Sequence, residues 1–119
     1  MSRGTGARYE QLALDHLRSV GLELVERNFH CRLGEIDLVM RDDDCLIFVE
    51  VRYRSSNRFA PAAHTVNGKK QARIARAAAM FLGQHPGMSH CTVRFDVVAF
   101  DDPVTSRCAL QWTRDAFRV

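Results

Sequence analysis

The chain has almost no lysine, no long apolar run and no paired cysteine spacing, and each absence removes a class of protein. Lys69 and Lys70 are its two lysines, so the cationic side is otherwise arginine. Arginine's planar fork suits phosphate, but a GC-rich genome gives the same bias, so the excess alone assigns no ligand. No stretch of about 20 apolar residues is present, which excludes a membrane-spanning helix. The start, MSRGTGARYEQ, is polar and is not a secretory signal. Cys31, Cys45, Cys91 and Cys108 form no Cys-x-x-Cys pair. Together with the missing signal, this points to reduced thiols in a cytoplasm. No ligand spacing recurs among these cysteines and the five histidines, so a zinc site is not expected. His85 and His90 flank Pro86-Gly87 and read as solvated loop residues. There is no internal repeat, low-complexity segment or domain linker.

What remains is an ordinary globular balance. The chain has 119 residues, 46% hydrophobic and 26% charged, with a mild net charge of +3. That length supports one domain over residues 1–119, with a core spanning about residues 6–100.

The periodicities give the elements. Residues 1–7 read as a loose tail. A helix is expected from about Ala7 to Val20, with Tyr9, Ala13, Leu14, Leu17 and Val20 apolar and Gly21 as its stop. Glu10 lies beside that apolar stripe. It is either a rim glutamate paired with Arg8 or Arg18, or part of a site. Strands are expected over Leu22 to Phe29, in the two runs within Gly34 to Arg54, and over Thr92 to Phe100. Leu110 to Thr113 is a candidate short edge strand. The Ser55 to His64 segment is a crossover connection, or a lid over a ligand. A second helix runs from about Val66 or Asn67 to Gln84, capped by Thr65 or Asn67, with Ile74, Ala77, Ala78, Phe81 and Leu82 inward. On it, Lys69, Arg73 and Arg76 form a basic stripe with Lys70 beside it. The stripe is either a solvated face or a phosphate contact. The order α-β-β-β-α-β, with one further strand, implies an α/β fold in which a mixed sheet is flanked by helices.

The chain is organised around Gly34 to Arg54. Two β-branched and aromatic runs face each other across the acidic turn Arg41-Asp42-Asp43-Asp44. Asp37 and Glu50 sit within these runs. If odd residues stand opposite even ones, Asp37 lies across from Phe48 or Glu50 and both carboxylates emerge on one side. The other register sends them to opposite sides. Paired, desolvated carboxylates raise each other's pKa, and a divalent cation relieves that repulsion. The alternative is a wet sheet edge bearing protective charge. Asp96, also in an apolar strand, is expected to answer an arginine.

Taken together, Glu10, Arg27-Asn28-Phe29, Gly34-Glu35-Ile36-Asp37-Leu38, Phe48-Val49-Glu50-Val51-Arg52, Lys69-Lys70 and Arg94-Phe95-Asp96-Val97-Val98 resemble the YraN family of small bacterial proteins, uncharacterised protein family 0102. The resemblance covers roughly residues 6–100. It implies a restriction-endonuclease-like core, also described as transfer-RNA-endonuclease-like, similar to archaeal Holliday-junction resolvases. By that resemblance Asp37 and Glu50 are catalytic and hold Mg²⁺ or Mn²⁺, with Glu10 as a third metal ligand. Arg52 stands where the family typically has lysine. It keeps the charge on a larger planar group, which puts turnover in question while leaving phosphate binding intact. Arg54, Lys69, Lys70, Arg73 and Arg76 are the expected nucleic-acid contacts. The resemblance thus implies a cytoplasmic protein that binds structured DNA or RNA, with no membrane partner, and that could act as a homodimer. It would be either a metal-dependent endonuclease or a catalytically degenerate binder. A protein-interaction module pairing through a sheet edge is the third alternative.

Overall fold

Two strands buried on both faces form the centre, and helices cover each face. The computed structural model describes residues 3–55, 66–102 and 109–118. In chain order these form α1 (Arg3–Ser19), β1 (Glu23–Cys31), β2 (Gly34–Asp42), β3 (Cys45–Ser55), α2 (Gly68–Gln84), a short 3-10 turn (Pro86–Met88), β4 (Thr92–Asp102) and β5 (Ala109–Phe117). The five strands make one sheet in the order β1-β2-β3-β4-β5. Three neighbouring pairs are antiparallel, and β3 runs parallel to β4. A parallel pair cannot be joined by a hairpin, and α2 lies in the crossover between those two strands. The fold is therefore mixed α/β, as the hydrophobic pattern implies.

The alternation along β3 sorts the core into two layers. Leu46 and Phe48 pack with Ile74, Ala77, Ala78 and Phe81 of α2. Ile47, Val49 and Val51 pack with Tyr9, Ala13, Leu14 and Leu17 of α1. Strands covered on both sides read as continuous apolar runs, which is what β2 and β3 show. In β4, Phe95, Val97 and Ala99 join the α2 layer, while Val98 and Phe100 join the α1 layer.

Several boundaries differ from the sequence expectation. α1 starts at Arg3, within the stretch expected to be a tail. It closes with Gly21 N–H bonded to the Arg18 carbonyl and Leu22 N–H bonded to the Leu17 carbonyl, a reverse-turn closure that Gly21 permits at φ 101°. That closure puts Val20 past the helix and leaves it 50% exposed, so it is not part of the buried stripe. β1 continues to Cys31, because pairing with β2 persists to Cys31 opposite Gly34. Asn67 caps α2, its side chain accepting from Lys70 N–H at 3.0 Å. His85 is not a solvated loop residue. It is half-buried, stacks on Phe81 at 4.0 Å, and its Nδ1 lies 2.8 Å from the Phe81 carbonyl oxygen. His90 is exposed.

β5 is twice the expected strand, and Asp96 explains its length. Asp96 is fully buried and accepts from Arg94 Nε and Nη2, Trp112 Nε1 and the Asp115 N–H, each at 2.9 Å. This ties the far half of β5 to β4 across an irregularity between Phe95 and Val97. The arginine partner expected for Asp96 is Arg94. The crossover from residue 56 onward, with Arg58, Pro61 and Thr65, lies outside the described residues, as do Pro103 and Cys108.

Candidate functional site

The hairpin register decides where the two strand carboxylates go. Leu38 pairs with Val49 and Val39 with Phe48, so odd residues face even ones. The next position along this register sets Asp37 beside Glu50. The regular ladder ends there. Ile36 packs in the α2 layer, whereas Leu38 and Met40, which strict alternation would place with it, pack in the α1 layer. On β1, Asn28 stands between the pairs Arg27–Leu38 and Phe29–Ile36 and has φ 55°. A left-handed residue kinks its strand, and the side-chain phase of β2 changes opposite it. Asp37 Oδ2 then accepts the Val51 N–H at 2.8 Å, where a ladder bond would otherwise fall.

These residues line a cleft of about 470 Å³ at the end of the sheet. Gly6, Ala7 and Glu10 come from α1, Asn28 and His30 from β1, and Glu35 and Asp37 from β2. Glu50, Val51 and Arg52 come from β3, and Lys70 from the first turn of α2. The cleft therefore draws on both helices, which lie on opposite faces of the sheet.

Its electrostatics follow from burial. Glu50 is 6% exposed. Burial, then the neighbouring Asp37 carboxylate, pushes its pKa up to about 7, against the opposing pull of Lys70 and Arg52. Burial also raises Asp37, opposed by the Val51 N–H and by a hydrogen bond with Glu50. Both carboxylates are thus held above their ordinary range, and they titrate as a pair. Lys70 Nζ is 3.1 Å and Arg52 Nη1 3.6 Å from Glu50 Oε1. Glu10 is raised by burial and by Asp37, and it accepts a hydrogen bond from the Asn28 side chain.

Of the expected site residues, Asp37, Glu50 and Arg52 are adjacent, and Glu10 opens onto the same cleft. The three carboxylates are not gathered as one ligand set: among the described residues, no three His, Cys, Asp or Glu form a cation cage. Glu10 is turned to Asn28 instead. The basic stripe divides. Lys70 enters the cleft and Arg73 lines a neighbouring cavity, while Lys69 and Arg76 are exposed and line neither. Arg54 lies on β3 opposite Asp101, and its side chain is outside the description. Lys70 as the partner of Glu50 was not expected. The available signal was its position four residues before the buried Ile74, hence on the inward side of α2. Asn28, His30 and Glu35 also join the cleft, with His30 Nδ1 3.1 Å from Glu35 Oε2.

The family model "Uncharacterised protein family UPF0102" matches residues 9–100. Relatives described as UPF0102 proteins are similar over nearly the whole chain. The Nitrosococcus oceani protein is 46% identical over 98% of this chain and 94% of its own length. The Alkalilimnicola ehrlichii protein is 48% identical over 95% and 86%. The Frankia casuarinae protein is 45% identical over 91% of each. No helix among the described residues is long and apolar enough to cross a membrane.

Proposed function

The chain belongs to the UPF0102 family, and from the carboxylate pair in its terminal cleft we propose that it binds nucleic acid and hydrolyses phosphodiester bonds with Mg²⁺ or Mn²⁺. One observation carries the reading. Half-buried Asp37 and buried Glu50 stand side by side at the sheet end, each with its pKa raised by burial, and two cationic side chains lie against Glu50. A sheet that needed only stability would gain more from apolar residues at both positions.

The donor set suits the metal. Mg²⁺ takes hard oxygen ligands, commonly one or two carboxylates with waters and substrate phosphate. Asp37 and Glu50 would hold it, while Glu10 opens onto the same cleft but is bonded to Asn28. When bound, such an ion supplies a Lewis acid that activates water and offsets charge on the phosphate. The chain's own residues do the rest. The Val51 N–H fixes Asp37. Glu50, whose pKa is about 7 without metal, would give up its proton on taking the cation. Lys70 puts an ammonium beside Glu50 from α2. It thereby supplies the compact charge that the resemblance leads one to expect at the position of Arg52.

A second reading, binding without cleavage, is favoured by the same two cations. Lys70 and Arg52 neutralise Glu50 with no metal required. Single-turnover cleavage of labelled junction, flap, single-stranded and RNA substrates with Mg²⁺ or Mn²⁺ separates the two. Cleavage is expected from the natural chain. Asp37→Ala, Glu50→Ala and Lys70→Ala should each lower the rate on the order of 100-fold or more. Binding without cleavage leaves the second reading, and no binding at low salt ends both.

A further inference from the structure

A second cavity, of about 410 Å³, adjoins the carboxylate cleft and shares His30, Glu35 and Lys70 with it. It lies between the turn of the first hairpin and α2. Arg32 at the turn and Arg73 on α2 are its further cations. Both are exposed, and neither pairs with an acidic side chain among the described residues. Among the described residues, unpaired arginines also occur elsewhere on the surface, such as Arg18 and Arg76, but Arg32 and Arg73 line one cavity together with Lys70. Two guanidinium groups and an ammonium over one concavity, with Glu35 turned to His30, offer an external anion charge-assisted hydrogen bonds.

Their spacing is held by the backbone. Gly34, at φ 156°, rests against α2 so closely that a Cβ there would stand 3.2 Å from the Arg73 carbonyl oxygen. The hairpin turn and the second turn of α2 are thus seated on each other, and Arg32 and Arg73 are presented together. The guanidinium fork favours phosphate oxygens.

We infer that this second cavity is a phosphate subsite, and that the ligand of the cleft is a polynucleotide strand whose neighbouring phosphate lies between Arg32 and Arg73. The inference rests on the reading of the cleft as a phosphodiester site. A mononucleotide carries a single phosphate, as a monoester, and leaves one of the two positions empty. A strand passing from Asp37 and Glu50 over Lys70 to Arg73 occupies both.

The experiment is a salt titration of binding to a labelled 20-nucleotide single strand in EDTA, with folding of each variant checked by circular dichroism. Arg32→Ala/Arg73→Ala is expected to weaken binding on the order of tenfold at low salt. It should also flatten the plot of log K against log salt by about 1.4, the share of two phosphate contacts on a single strand. Arg18→Ala/Arg41→Ala removes the same charge at the other end of the molecule and should keep the natural slope. An unchanged slope in the first variant, an equal loss in the second, or equal displacement of the strand by polyglutamate would overturn the subsite. Hydrolysis of bis(p-nitrophenyl) phosphate with Mn²⁺, a diester with no neighbouring phosphate, separates the subsite from the hydrolytic reading. The first variant should lose far more on the strand than on this ester. If the natural chain hydrolyses neither compound but the first variant still loses strand binding, the subsite stands and hydrolysis falls. If hydrolysis proceeds and the first variant handles the strand normally, the subsite falls and hydrolysis stands.

Discussion

Glu50 carries a proton that an unfolded glutamate would have lost. Its folded pKa of about 7 stands above the ordinary 4.5, through burial first and Asp37 second. The folded chain therefore binds more protons than the unfolded chain between those two values. The stabilisation that goes with this proton is complete below about pH 4.5 and is lost as the pH rises through about 7. Glu50→Gln removes the titration and keeps a donor for Asp37. In EDTA its melting temperature should match the natural chain's near pH 5 and exceed it by roughly 5 °C at pH 8, a difference on the order of 1 kcal/mol. A constant difference between the two chains from pH 5 to 8, measured by thermal denaturation, would place this proton elsewhere. The carboxylate types were legible, since acidic residues inside apolar strands stand out. Their side was not, because it depends on a register that pattern alone leaves open. The phase change opposite Asn28 was also invisible. It turns on one left-handed φ angle of 55°, which an asparagine tolerates but does not announce.

At the scale of elements, the outer half of the sheet hangs on Asp96. Its carboxylate takes four hydrogen bonds, three of them from side chains and one from the backbone of β5. Asp96→Ala would leave Arg94, the indole N–H of Trp112 and the Asp115 N–H without their acceptor. Breaking a buried, fully bonded charge pair costs about 3–5 kcal/mol. Urea denaturation followed by the fluorescence of Trp112 should show that loss, with Asp96→Asn in between. A cost under about 1 kcal/mol would mean that packing of Phe117, not the carboxylate, holds β5. This lock also shows why the end of the chain was hard to read. Asp96 and Asp115 are 19 positions apart, and nothing local marks Arg114 to Phe117 as strand. α2 and the two central strands were legible for the opposite reason, because their periodicity and their cap are written locally. The start of α1 was not, since its glycines argue against a helix.

At the scale of the molecule, the cleft is where two layers that share only the sheet come together. α1 packs on one face and α2 on the other, with separate apolar cores. Their first turns both reach the sheet end, with Gly6, Ala7 and Glu10 on one side and Lys70 on the other. A ligand held by Asp37 and Glu50 would therefore touch both helices at once. Binding stabilises whatever it contacts, by about 2.7 kcal/mol at a ligand concentration 100 times the dissociation constant. Hydrogen exchange should then slow together at Gly6–Glu10 and at Lys69–Arg73 when Mn²⁺ and a single-stranded oligonucleotide are added. The turn at Asp43 and Asp44, at the opposite end of the β2–β3 hairpin, should be unaffected. Protection confined to α2 would mean that the ligand meets only the basic side, as a binder without a metal would. Protection at both helix starts that disappears in Glu50→Gln with Mn²⁺ alone would tie the coupling to the carboxylate pair.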